Sequence, residues 1–171
     1  MMPLGSSSLA VAMDVNEKHC DVANFSFNVE SSERASIKSY GSDVVTFGVR
    51  LTDMRIIKPE LAQGSQMIVR IWPIDFVLPR RDVRIEERQP DSLVNGRREY
   101  KTADSTTYQF YGVDGQSVEV TGGLTTWEGA RIFAENIRIR YQFDKSRKDF
   151  ETLDGRLIEL LKQIELKLET K

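Results

Sequence analysis

Residues 106–120 read TTYQFYGVDGQSVEV, two alternating runs hinged on Asp114-Gly115. Such a pair can do little except fold back as an antiparallel hairpin. Apolar and polar residues alternate with period two, and Asp-Gly supplies the left-handed conformation of a tight hairpin turn. The same grammar recurs along the chain. VANFSFNV at 22–29 alternates around Phe25 and Phe27. DVVTFGVRLTDMRII at 43–57 is rich in β-branched residues, with Gly48 placed for a bulge or a close approach, and it breaks at Pro59. SQMIVRIW at 65–72 alternates Met67, Val69 and Ile71 and ends at Pro73. ARIFAENIRIRYQF at 130–143 reads as one long strand, with Ile132, Ala134, Ile137 and Ile139 towards the core. Its faces slip by one residue near Glu135-Asn136, so a bulge is expected there. Asn95-Gly96 marks a second tight turn, which makes residues 80–106 a protruding hairpin arm. Short sequential connections favour a mainly β, antiparallel fold, either a small barrel or a sandwich.

The last residues change period. Phe150, Leu157, Leu161, Ile164 and Leu168 recur at helical spacing among balanced charges. The expectation is a flexible leader over 1–19, a β domain over 20–145 and a C-terminal helix over 146–171. Leu157, Leu161, Ile164 and Leu168 form a stripe suited to a coiled-coil seam or to packing on a sheet. On that reading the helix makes a homo-oligomer or meets a protein partner.

The 171 residues carry 24 basic and 26 acidic side chains, a formal charge of −2. This excludes a strongly basic protein but not a basic face. One cysteine, Cys20, has no partner for an intramolecular disulfide, which fits a reducing, cytoplasmic compartment. No apolar run approaches the ~20 residues of a membrane span. The opening MMPLGSSSLAVAM lacks the basic start of a signal peptide, and Met13 offers an internal start.

Catalytic and metal chemistry find little support. The lone His19 stands beside Cys20 with no further ligands at metal-binding spacing. The glycines at 112, 115, 122, 123 and 129 match no phosphate-binding loop. Asp82, Glu86 and Glu87 sit among arginines, as surface ion pairs do. No catalytic residue, cofactor or metal is expected. One positive signal remains. Between residues 131 and 148 six basic side chains meet only Glu135 and Asp144. Aromatic residues interleave with them. Single-stranded nucleic acid is held by such basic grooves and aromatic faces. The candidate contacts are Arg70, Arg131, Arg138 and Arg140 for phosphate, and Trp72, Tyr108, Phe110, Tyr111 and Trp127 for stacking. The competing reading makes the aromatics core and the arginines ordinary solvated charge.

Four segments, VANFSFNVE, VVTFGVRL, LAQGSQMIVRI and GARIFAENIRI, occur in an order that resembles the bacterial single-stranded DNA-binding protein family. The resemblance implies an OB-fold barrel that binds single strands on its concave strands. Two registers fit: either LAQGSQMIVRI or GQSVEVTGGL takes the place of the family's "GSxVxV" strand. Residues 73–114 are a large insertion in the first, and a terminal helix stands where the family has an acidic tail. The expected function is therefore non-catalytic binding of single-stranded nucleic acid. The alternative is an assembly or adaptor module that self-associates through its β domain and helix, which the slight acidic excess favours.

Overall fold

A computed structural model describes residues 18–75 and 88–169. Its organising element is a ten-stranded antiparallel sheet. In chain order the strands are β1 (His19–Val22), β2 (Phe25–Asn28), β3 (Lys38–Tyr40), β4 (Val44–Arg50), β5 (Arg55–Ile57), β6 (Gln66–Pro73), β7 (Ser92–Val94), β8 (Arg97–Lys101), β9 (Thr106–Tyr111), β10 (Ser117–Gly122), β11 (Thr126–Phe133), β12 (Ile137–Asp144) and β13 (Lys167–Leu168). Two helices, α1 (Ser31–Arg34) and α2 (Phe150–Gln163), interrupt them. The large sheet runs β3-β4-β6-β12-β11-β10-β9-β8-β7, with β5 paired to β4, and β1-β2-β13 form a small second sheet. The fold is thus mainly β and antiparallel with a C-terminal helix, and the described strands close no barrel.

The hairpin at Asp114-Gly115 forms as its turn chemistry requires. β9 and β10 pair from Thr107↔Thr121 to Tyr111↔Ser117, and Gly115 has φ +77°. Asn95 and Gly96 also turn a hairpin, with φ of 52° and 77°. Its strands β7 and β8 do not stand clear as an arm, because β8 pairs with β9 and extends the sheet. The rest of the expected arm, residues 80–87, lies outside the described residues, as does most of the leader. His19 already belongs to β1.

One expectation is corrected. Residues 130–143 are not a single bulged strand. They are β11 and β12, a hairpin that reverses over residues 134–136, with Phe133 opposite Ile137. Ala134 and Glu135 take φ of 49° and 66°, which non-glycine residues rarely do. Neither residue is a turn signal, so the alternation reads straight through the reversal. Further along the same hairpin, Gly129 faces Tyr141. A Cβ at Gly129 would strike three carbons of the Tyr141 ring, so that buried aromatic requires a glycine opposite it.

The core lies between one face of the large sheet and a layer made of α2 and the small sheet. Val45, Phe47 and Val49 of β4, Met67, Val69 and Ile71 of β6, and Ile137, Ile139, Tyr141 and Phe143 of β12 all point into it. Phe150 of α2 meets Trp127 with ring centroids 5.0 Å apart and Phe143 at 5.7 Å. Phe27 of the small sheet packs edge-on against Phe47 at 6.4 Å. Arg156 donates from α2 to the Leu51 carbonyl, and the Asn28 amide donates to the Ile164 carbonyl at 2.7 Å. These bonds tie the helix to both sheets.

The apolar stripe is consumed in this layer. Leu157 and Leu161 are fully buried, and Ile164 is buried just past the helix. Leu168 is on no helix; it sits in β13 opposite Phe25. Fully burying a leucine side chain stabilises by about 1.5–3 kcal/mol, which outweighs the weak propensity around Gly155. What the helix leaves exposed is polar: Glu151, Thr152, Glu159, Lys162 and Gln163.

Candidate functional site

Strand register sorts the nine candidate contacts into two groups on opposite faces. Residues directly opposed in an antiparallel pair share a face. Arg70 of β6 is opposite Arg140 of β12, and Trp72 is opposite Arg138. These four side chains form one cross-strand square on the face away from α2, here called the outer face. Tyr111 is on the same face at the end of β9, opposite Ser117, and is exposed.

The other four belong to the helix-bearing face. Phe110 and Trp127 are buried, and Tyr108 is half-buried. The Trp127 indole donates to the Lys145 carbonyl at 3.0 Å, and its ring meets Tyr108 at 5.9 Å. Lys145 and Lys148 lie 4.0 and 4.5 Å from its centroid, within cation–π reach. Burial and the neighbouring Lys148 charge pull the Lys145 pKa down. The Phe110 and Trp127 rings are thus packed in the core and not presented for stacking.

Arg131 is buried with its guanidinium between two carboxylates. It donates to Asp154 of α2 and to Asp114 of the β9–β10 turn. The Tyr141 hydroxyl donates to the other Asp154 oxygen at 2.9 Å. Burial raises the Asp154 pKa against the pull of Arg131, and burial together with Asp154 raises that of Tyr141 well above the usual phenol range. Burial opposes ionisation of Asp114 too, but the hydrogen bond and charge of Arg131 outweigh it and hold that carboxyl low. Arg131 is therefore an internal tie between sheet, turn and helix.

The outer square is differently placed. Arg138 is exposed, and its one hydrogen bond among the described residues is a long one, Nε to the Ile74 carbonyl at 3.4 Å. Arg140 faces Glu128 at 3.6 Å, a loose pair, and its guanidinium lies 5.7 Å from the Trp72 centroid. Arg70 has no ion pair or hydrogen bond among the described residues, although it directly opposes another arginine. Like charges opposed across a ladder destabilise it unless something neutralises them. The Trp72 ring is 4 % exposed, so it underlies the square and offers no platform.

From Arg70 the outer face continues into β4 and β3. Thr46 is opposite Arg70 and also opposite Lys38; Val44 is opposite Tyr40. A groove of about 330 Å³ opens here, lined by Tyr40, Val44, Thr46, Ile68 and Arg70 with Pro59 and Glu60 of the loop after β5. Sequence reasoning did not single out Tyr40 as a contact, nor Thr46 or Glu60 at all. Only the pairing of β3, β4 and β6 brings these residues beside Arg70. A second open groove of about 380 Å³ lies beside Trp127, between the 102–105 loop and Gly122-Gly123, with Lys101 and Lys145 on its walls. Lys145 is spoken for there, donating to the Gly123 carbonyl at 2.7 Å.

Among the described residues no cluster of three or more His, Cys, Asp or Glu is arranged to hold a metal ion. Cys20 is buried in β1, and burial raises its pKa; His19 beside it contacts Asp21 at 3.2 Å. No described helix is long and apolar enough to cross a membrane. No family model, no curated protein and no solved structure matches the chain.

Proposed function

We propose that the protein binds single-stranded nucleic acid on the outer face of its large sheet, without catalysing a reaction. The observation that carries this reading is the Arg70–Arg140 cross-strand pair with Arg138 beside it. Three guanidinium groups converge on two adjacent strands, and among the described residues only one has a carboxylate near it. A phosphate chain laid over β6 and β12 supplies the missing negative charge. The exposed rings of Tyr40 and Tyr111, 63 % and 64 % accessible, stand to either side for stacking. This reading needs only strands presented broadside on an open face, and no closed barrel.

The test is titration of a labelled thymidine oligonucleotide at two salt concentrations. Expected is micromolar or tighter affinity at low salt, weakening as salt rises because releasing condensed counterions into a saltier solution gains less entropy. Arg138→Ala and Arg140→Ala each flatten that salt slope by about 0.7, the single-strand value per phosphate. Absence of binding at low salt overturns the reading.

A second reading, assembly through the sheet, has one observation in its favour. Among the described residues β7 has no strand on its far side, and its Leu93 is 72 % exposed. An edge of this kind recruits further strands. Light scattering of the wild type and of Leu93→Lys decides it: self-association through β7 predicts a concentration-dependent mass that the lysine abolishes. The terminal helix has no comparable free apolar surface.

A further inference from the structure

The outer-face groove beside Arg70 contains groups that phosphate binding does not use. Thr46 lines it, is 4 % exposed, and its hydroxyl has no hydrogen-bond partner. A buried hydroxyl left unpaired is costly, so a ligand atom that meets it after a turn of the Thr46 side chain towards the groove gains more than an exposed contact would. Glu60 lines the same groove with a carboxylate that has no ion pair or hydrogen bond among the described residues. Arg70 adds donors only. Val44, Ile68 and Pro59 make an apolar wall, and the Tyr40 ring stands exposed at the side.

Those groups define the ligand by elimination. A bare phosphate accepts hydrogen bonds and suits Arg70, but the Glu60 carboxylate repels it. A wholly apolar ligand leaves the Thr46 hydroxyl unpaired. The groove asks for a flat ring with an apolar face and an edge that both donates and accepts. Its volume lies at the low end of small-molecule sites, about 300–1,000 Å³, which suits one ring system and its sugar. A nucleobase has this character, and bases of single strands are read by stacking on aromatics and by hydrogen bonds along their edges. Guanine has two adjacent N–H donors for a carboxylate, and on the same edge a carbonyl for a hydroxyl or guanidinium donor. Thymine and cytosine have no such pair of donors beside a carbonyl, and adenine has no carbonyl.

The geometry points to a base pocket selective for guanine, formed by Tyr40, Thr46, Glu60 and Arg70, at the end of the phosphate track over Arg138 and Arg140. This deepens the strand-binding reading and rests on it. The site is assembled from three strands and a loop, so it exists only in the folded sheet.

The experiment uses the full chain and labelled oligonucleotides of about fifteen thymidines, within the usual single-strand site size. One central base is replaced by guanine or by adenine, at one low salt concentration. Expected is about tenfold tighter binding of the guanine-containing strand, the scale of one good paired contact, with no such gain for adenine. Glu60→Ala and Thr46→Val remove the guanine preference without weakening the all-thymidine strand, which Glu60→Ala binds somewhat more tightly because a charge that repels phosphate is gone. Glu60 is exposed, so its variant tests the pocket even if the buried substitution disturbs folding. Equal affinity for thymidine and guanine strands overturns the pocket while strand binding stands. A gain shared by adenine overturns it in favour of unselective purine stacking. A guanine preference that survives both variants places the reading of the base elsewhere and also overturns it. Failure of every strand to bind removes the strand-binding reading itself, and the pocket with it.

Discussion

Thr46 is the residue where stability and ligand recognition pull apart. Its neighbours on β4, Val45 and Phe47, are fully buried on the helix-bearing side, where apolar packing is the whole requirement. Thr46 looks the other way, is almost as buried, and carries a hydroxyl that nothing satisfies. Valine has nearly the same shape and no polar atom. Removing an unpaired buried polar group recovers part of its desolvation cost, about 1–3 kcal/mol. Thr46→Val is therefore expected to stabilise the free protein by about 1 kcal/mol, read as a higher urea midpoint at unchanged slope. A destabilised variant would mean that the hydroxyl is already satisfied in the free protein, and that the groove lacks the unmet bond assigned to it.

At the scale of elements, α2 is held to the large sheet by two kinds of contact. Phe150, Leu153, Leu157 and Leu161 supply apolar burial, and Asp154 supplies a buried charge to Arg131. Both of those ionic side chains are almost wholly excluded from solvent, at 0 % and 1 % exposure. Breaking such a pair by removing one partner leaves the other charge uncompensated, which costs about 3–5 kcal/mol, whereas replacing both by apolar groups costs far less. Asp154→Ala should therefore destabilise by about 3–5 kcal/mol, and Arg131→Met with Asp154→Leu by clearly less. Urea unfolding of the single and double variants measures this. A loss below about 1 kcal/mol for Asp154→Ala would show that Asp114 alone suffices for Arg131. The same cluster explains why Arg131 misled the sequence reading. Along an uninterrupted strand with one slip it groups with Arg138 and Arg140. The hairpin at Ala134-Glu135 instead sets Arg131 opposite Ile139 and thus on the helix-bearing face. One reversal whose left-handed residues are Ala134 and Glu135, neither glycine nor asparagine, moved one arginine from surface to core.

On the scale of the whole molecule, what could be read in the sequence was whatever short-range physics determines. The Asp114-Gly115 hairpin, the β character of 43–57 and 65–72 and the helical period after Phe150 all follow from local pattern. Which surface covers the helix, and which residues lie across a ladder, depend on strand order, and no local pattern encodes that order. The Arg70–Arg140 square was legible only as a list of residue types, and the groove was not legible, because β3, β4 and β6 meet there by long-range pairing. Asp144 shows the same dependence in a measurable form. It ends β12 and accepts hydrogen bonds from the Ser146 hydroxyl at 2.6 Å, the Gly64 amide at 2.8 Å and the Ser146 amide at 2.8 Å. One carboxylate thus joins the turn before β6 to the end of its neighbour 80 positions later in sequence. These bonds, the Ser146 hydroxyl first, lower its pKa from 3.8 to about 2. A carboxylate whose pKa falls on folding binds its proton more readily in the unfolded chain, so it stabilises the fold wherever it is ionised. The contribution is complete above pH 3.8, fades as pH falls below that value, and is gone below about 2. Asp144→Asn keeps the shape but loses the charge. Expected is a gap in melting temperature between wild type and variant that is constant from neutral pH down to about 4 and closes towards pH 2. Because other carboxylates titrate in the same range, the gap and not the wild-type curve is the quantity to follow. A gap that persists unchanged at pH 2 would assign the effect to lost hydrogen-bond geometry instead of lost charge.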